Sequence, residues 1–218
     1  MDDLRLVIFD CDGVLVDSET ISNDVLARLL SDEGLPTTLS QARRDYQGLL
    51  LAQVVRGAEA KLGRSLPDGW LARYESEREQ AFRRELAPVA GAAEVIARVR
   101  TAGVAVCVAS QGKLEKTRLS LELTGLRHLF DEQALFSAEA VPRGKPHPDL
   151  FVHAASTIGA EPAACVVLED TPSGVTAAVA AGMRAIGFAA DSDESALRAA
   201  GAEIVHSLDE VPGLLGLG

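Results

Sequence analysis

The sequence predicts an α/β fold: a parallel sheet with an all-α block inserted after its first strand. Three observations predict it. The run Leu6-Val7-Ile8-Phe9 is a short apolar strand rich in β-branching that ends abruptly in carboxylates. Residues from about 17 to about 85 carry helical periodicity with no strand-like run among them. After Pro88, short β-branched runs alternate with helical stretches, which implies βαβ units and a parallel sheet.

The elements follow in order. From Ser18 to Gly34, Ile21, Val25, Leu26, Leu29 and Leu30 recur at helical spacing, and Gly34-Leu35-Pro36 ends the pattern. Leu50 to Leu62 and Trp70 to Leu86 repeat it, separated by a polar turn around Gly63 to Gly69. Trp70 reads as a core anchor of this block. Val104 to Ala109, Cys165 to Leu168, Arg184 to Phe188 and Glu203 to Val205 have the same character as the first strand and join its sheet. The expected division is therefore 1–16 with 86–218 as the sheet domain and 17–85 as the helical one.

A chain of 218 residues that is 47% hydrophobic and 24% charged can bury a sizeable core and has the composition of a globular protein. Its 21 basic and 32 acidic residues give a net charge of −11, a field that repels polyanions and argues against nucleic acid as a partner. A small anionic substrate then needs local positive charge from a metal ion, a lysine or a helix N-terminus. Cys11, Cys107 and Cys165 are far apart and form no C-x-x-C pair, which fits neither a disulfide framework nor a zinc site and suits a reducing cytoplasm. Met1-Asp2-Asp3 is not the start of a secretory signal, and the uncharged run Thr171 to Met183 is too short to span a bilayer. A monomer without membrane attachment is the default expectation.

In open parallel sheets ligands bind beyond the carboxyl ends of the strands, so the residues after each strand are the candidates for chemistry. After the first come Asp10 and Asp12, two apart and able to point to one side of an extended chain, with Gly13 where the backbone turns. One carboxylate can attack phosphorus while the other protonates the leaving oxygen and later deprotonates water. The same residues also fit an Asx-turn. A calcium loop is a poorer match, since Val14-Leu15-Val16 replaces the oxygen ligands it needs. After the next strand Ser110 either holds a phosphoryl oxygen or caps a helix, with Gln111 beside it. Glu169 and Asp170 supply hard oxygen ligands suited to Mg²⁺, or complement a helix N-terminus. Lys145, in the proline-bracketed turn Gly144-Lys145-Pro146-His147-Pro148, is a phosphate clamp or a surface lysine, and His147 stands next to it.

The run Phe9-Asp10-Cys11-Asp12-Gly13-Val14-Leu15-Val16-Asp17-Ser18-Glu19 resembles the first motif of the haloacid dehalogenase superfamily, in its sugar-phosphate phosphatase and β-phosphoglucomutase branch. Ser110, Lys145 and the pair Glu169-Asp170 match its other three motifs in order. The resemblance implies a Rossmann-like core, a helical cap and a Mg²⁺-dependent phosphatase working through an aspartyl phosphate. Asp10 is then the nucleophile and Asp12 the general acid/base. Asp10, the backbone carbonyl of Asp12, and Asp170 bind Mg²⁺, with Glu169 direct or through water. Gln47, Gly48, Gln111 and His147 are candidates for touching substrate, a phosphorylated sugar or sugar acid. The mutase branch looks to have a histidine and an arginine where this chain has Ser22 and Leu49, which favours the phosphatase over the mutase.

Overall fold

The computed structural model describes residues 4–46, 49 and 51–217. The chain forms two compact units, Met1–Val16 with Pro88–Gly218, and Asp17–Ala87. The second boundary falls after Ala87 rather than after residue 85, because the Asp17 amide donates to the Ala87 carbonyl at 3.0 Å, while Val89 N donates to Leu15 O at 3.0 Å.

In the first unit the strands are β1 (Leu6–Phe9), β2 (Ala105–Ser110), β3 (Leu135–Ser137), β4 (Cys165–Glu169), β5 (Arg184–Phe188) and β6 (Glu203–Val205). Among the described residues they form one six-stranded sheet in the order β3-β2-β1-β4-β5-β6. Every pairing is parallel. Phe9 registers with Val108 on one side and Leu168 on the other, so the carboxyl ends of β1, β2 and β4 come level. All four residues of β1 are fully buried, as a central parallel strand covered on both faces must be, and this is why it shows no polar alternation.

The helices of the second unit are α1 (Glu19–Asp32), α2 (Leu39–Tyr46), α3 (Leu51–Leu62) and α4 (Trp70–Glu85). Those of the first are α5 (Ala92–Thr101), α6 (Leu114–Leu123), α7 (Asp149–Ile158), α8 (Pro172–Ala180), α9 (Glu194–Ala200) and α10 (Val211–Leu214). Leu6, Ile8, Cys107, Ala109, Cys165 and Val167, alternate residues of three strands, pack as one cluster with Leu150 and Phe151 of α7 and Val175 and Ala178 of α8. Phe9 points the other way and meets Phe130 edge-on with centroids 6.4 Å apart.

The helical unit has its own core, in which Val25, Leu26, Leu29 and Leu30 meet Tyr46, Val54, Ala58, Trp70 and Tyr74. The Trp70 and Tyr74 rings stack at 6.0 Å. Two elements escape the periodicity reading. Helix α2 buries only Ala42 and Tyr46, too few to show an apolar stripe. Its entry is nevertheless written locally: Thr38 N donates to Gln41 Oε1 at 2.8 Å and Gln41 N to Thr38 Oγ1 at 3.3 Å, a reciprocal cap. Strand β3 is three residues long, below the length at which alternation is recognisable.

Candidate active site

The level strand ends bring Asp10, Ser110 and Glu169 to one edge of the sheet. Asp10 follows β1 directly, and its amide donates to Leu168 O at 2.9 Å, which extends the ladder by one residue and fixes the backbone at the carboxylate. Lys145 Nζ donates to Asp10 Oδ1 at 2.5 Å, to Glu169 Oε1 at 2.6 Å and to Ala109 O at 3.0 Å. The ammonium also stands 5.1 Å from the centroid of the Phe151 ring. Lys145 is only 9% exposed, and so is a buried cation enclosed by carboxylates, a carbonyl and an aromatic face.

Two loops hold this arrangement. The Lys145 amide donates to Gln111 Oε1 at 2.9 Å, which ties the proline-bracketed turn to the end of β2. The second oxygen of Glu169 accepts from Thr171 N at 3.0 Å and Thr171 Oγ1 at 2.8 Å, and Thr171 Oγ1 accepts from Gly174 N at 3.1 Å to cap α8. A Cβ on Gly174 would lie 1.8 Å from Glu169 Oε1, so only glycine lets the helix come so close to that carboxylate. Gly13 is constrained twice: its φ is +79°, and a Cβ there would lie 2.1 Å from Asp170 Oδ2. The Asp-x-Asp-Gly turn and the acidic loop after β4 are thereby fitted against each other.

Burial pushes the Asp10 carboxyl up to about 7; Lys145 pulls against the rise, and the charges of Glu169 and Asp12 add to it. Burial opposes the Lys145 charge too, but Asp10 and Glu169 outweigh it and hold the ammonium above the usual lysine range. The Asp10 rise thus comes first from burial, and the Lys145 rise from setting two carboxylates against one ammonium. Cys11, between the two aspartates, has its thiol raised well above the ordinary range by burial and then by Asp12, so it stays protonated and is a poor nucleophile.

Among the described residues no three His, Cys, Asp or Glu side chains form a metal cage. Mg²⁺ does not require one, since it takes one or two carboxylates and completes its shell with water and substrate oxygens. Asp10 and Asp170, hard oxygen donors on loops fitted together through Gly13, suit that demand. Glu169 suits it less well than expected, because both of its oxygens are committed to Lys145 and Thr171.

Ser110, Gln111 and His147 differ in their surroundings. Ser110 is the buried last residue of β2, and helix α6 begins four residues later at Leu114, so Ser110 is not its cap. Its Oγ accepts from Gly112 N at 3.1 Å. Gln111, expected on substrate, accepts from the Lys145 amide through its side-chain carbonyl oxygen. His147 is exposed and lies near Asp149. Gln47 and Gly48 lie outside the described residues. Sequence reasoning missed Lys116, whose Nζ donates to Asp12 Oδ1. Nothing local could have shown it, since the two are 104 positions apart. A cavity of about 610 Å³ lined by Arg100, Val104, Ala105, Asp131, Glu132 and Ile158 opens at the amino end of β2, away from these groups.

Residues 7–188 match the family model described as haloacid dehalogenase-like hydrolase, a span that begins in β1 and ends with β5. The chain belongs to that family. Among curated relatives, 6-phosphogluconate phosphatase of Escherichia coli K12 is 28% identical over 192 residues, covering 88% of this chain and 85% of the relative. Hexitol phosphatase B of the same organism is 31% identical over 193 residues, covering 82% and 81%. Among solved structures, a HAD family hydrolase from Deinococcus radiodurans R1, crystallised with bound phosphate and sodium, has a TM-score of 0.83 and 31% identity. The match covers 99% of this chain and 97% of that one. These matches agree with a Rossmann-like core carrying a helical insert, and in this family member the four motif stretches lie at the carboxyl edge of the sheet or in the loop that reaches it.

Proposed function

We propose that the protein is a Mg²⁺-dependent phosphatase acting on a small phosphomonoester, a sugar phosphate or phosphorylated sugar acid, through an aspartyl phosphate on Asp10. The observation that carries this reading is the buried Lys145 ammonium, shared by Asp10 and Glu169 at the carboxyl end of a central parallel strand. The curated relatives named for 6-phosphogluconate and hexitol phosphates support the substrate class.

An Asp10 oxygen attacks phosphorus as the bond to the sugar oxygen breaks, and the departing alkoxide takes its proton from Asp12. Asp12, now a carboxylate, accepts a proton from the water that attacks the phosphoryl group, and phosphate leaves as the bond to Asp10 breaks. Asp10, the Asp12 carbonyl and Asp170 would hold Mg²⁺, which when bound offsets the charge of the acids and of the transferring phosphoryl group. Lys145 supplies fixed positive charge at the attacking carboxylate, and Ser110 Oγ donates to a phosphoryl oxygen. Glu169 and Gln111 hold Lys145 in place rather than touching substrate. In phosphoryl transfer such placement and charge stabilisation provide most of the acceleration.

The test is phosphate release from p-nitrophenyl phosphate, hexose phosphates, hexitol phosphates, phosphoglycolate and 6-phosphogluconate, with Mg²⁺ and with chelator. Release that depends on Mg²⁺ and favours a sugar or sugar-acid phosphate is expected. Isomerisation of β-glucose 1-phosphate without phosphate release would replace the reading with a mutase. No release from any ester would overturn it.

A further inference from the structure

We propose that Lys116 is a positioning residue for Asp12, holding its carboxylate in the orientation from which it exchanges a proton with the leaving oxygen; this rests on the phosphatase reading above. Lys116 lies in the first turn of α6, where the helix dipole disfavours a cation. Its long side chain is nevertheless drawn in to 15% exposure, with the loss of rotamer freedom that this entails. Its ammonium donates to Asp12 Oδ1. The location is therefore set by Asp12 and not by the needs of the helix.

Asp12 needs such a partner. Its side chain is 23% exposed, against 9% for that of Asp10, so packing alone restrains it less. A carboxylate that protonates a bridging oxygen must present one oxygen along one direction, whereas an unrestrained aspartate samples several rotamers. A Cβ on Gly112 would lie 3.4 Å from Ser110 Oγ, 3.5 Å from Lys116 Cδ and 4.0 Å from Asp12 Oδ2, so the Lys116–Asp12 pair lies beside Ser110. Ser110, Gly112, Lys116 and Asp12 are thus neighbours, and Gly112 adds no side chain among them. Lys116 and Lys145 divide the work: one orients the acid, the other charges the nucleophile's side.

The test compares wild type, Lys116→Met and Lys116→Arg on an aryl and an alkyl phosphate. p-Nitrophenolate departs without a proton, but a sugar alkoxide does not, and kcat/KM reports the step in which the ester oxygen leaves. Lys116→Met is expected to lower kcat/KM about tenfold more on the hexitol phosphate than on p-nitrophenyl phosphate, with Lys116→Arg recovering most of the difference. Asp12→Asn gives the same asymmetry in stronger form. Equal losses on both esters, or a rise in KM alone, would overturn the proposal and make Lys116 a structural or anion-anchoring residue. The side-chain ¹³C resonance of Asp12, assigned by its disappearance in Asp12→Asn, separates this from failure of the phosphatase reading. If wild type hydrolyses neither ester, that reading falls; an Asp12 resonance that Lys116→Met leaves unmoved overturns the hold on Asp12 as well.

Discussion

Lys145→Met exchanges the buried cation for an apolar side chain of similar length. Asp10 and Glu169, 6% and 1% exposed, both lose the ammonium they share. Removing one member of a buried ion pair costs about 3–5 kcal/mol, because the remaining charge stays buried without compensation. Asp10 relieves part of that by taking up a proton, as its carboxyl is already pushed up to about 7. A net loss of about 2–3 kcal/mol is therefore expected, a fall in Tm of roughly 5–10 °C for a chain of this size. Turnover should fall further, by about 10²–10³-fold, the usual effect of deleting one preorganised electrostatic contact. The two effects separate in Lys145→Met/Glu169→Gln, which removes the surplus negative charge without restoring a cation: stability returns in part, turnover does not. Unfolding is best followed by far-UV circular dichroism, since the single tryptophan, Trp70, belongs to the core of the helical unit. A Lys145→Met protein melting within about 1 °C of wild type, or a double variant whose loss equals the sum of the singles, would refute the shared-cation argument.

Other outcomes are equally specific. Asp10→Asn keeps shape but removes the proposed nucleophile, so phosphate release should drop by roughly 10⁴-fold or more with an unchanged dichroism spectrum; substantial residual turnover counts against Asp10. Gly13→Ala should cost about 1–3 kcal/mol through its positive φ and the displaced Asp170 carboxylate, and should raise the Mg²⁺ concentration needed for half-maximal rate; an unshifted Mg²⁺ titration would remove Asp170 from the ligand set. Gly174→Ala carries no positive-φ strain, so its expected loss of about 1–3 kcal/mol comes from crowding Glu169 alone and should leave the Mg²⁺ titration in place. Metal-free protein should lose stability as pH rises from about 4 to about 7, because native Asp10 keeps a proton over that window that the unfolded chain has released. Mg²⁺ should reverse the slope by favouring the ionised carboxylate, and Tm measured against pH with and without the metal checks both signs.

What the sequence determined by itself rests on local pattern and chain direction. A central parallel strand must be apolar throughout, so Leu6–Phe9 announced itself, and chemistry placed just after a strand falls at the ligand-binding edge of a parallel sheet. The helical insert was legible from the 3.6-residue spacing of Val25, Leu26, Leu29 and Leu30, and the family motif from residues adjacent in the chain. Helix α2 and strand β3 were not legible, the first for want of an apolar stripe and the second for want of length. The partners of the charged groups were decided only by tertiary structure. Lys145 meets Asp10 across 135 positions and Glu169 across 24, Gln111 reaches the Lys145 amide across 34, and Lys116 reaches Asp12 across 104. Spacing along a chain carries no information about such contacts; they exist because the strands β2, β1 and β4 end level and their loops converge. The sequence shows which residues bear charge, but whether a carboxylate attacks, binds metal or merely holds a lysine depends on how deeply it is buried and on what it faces.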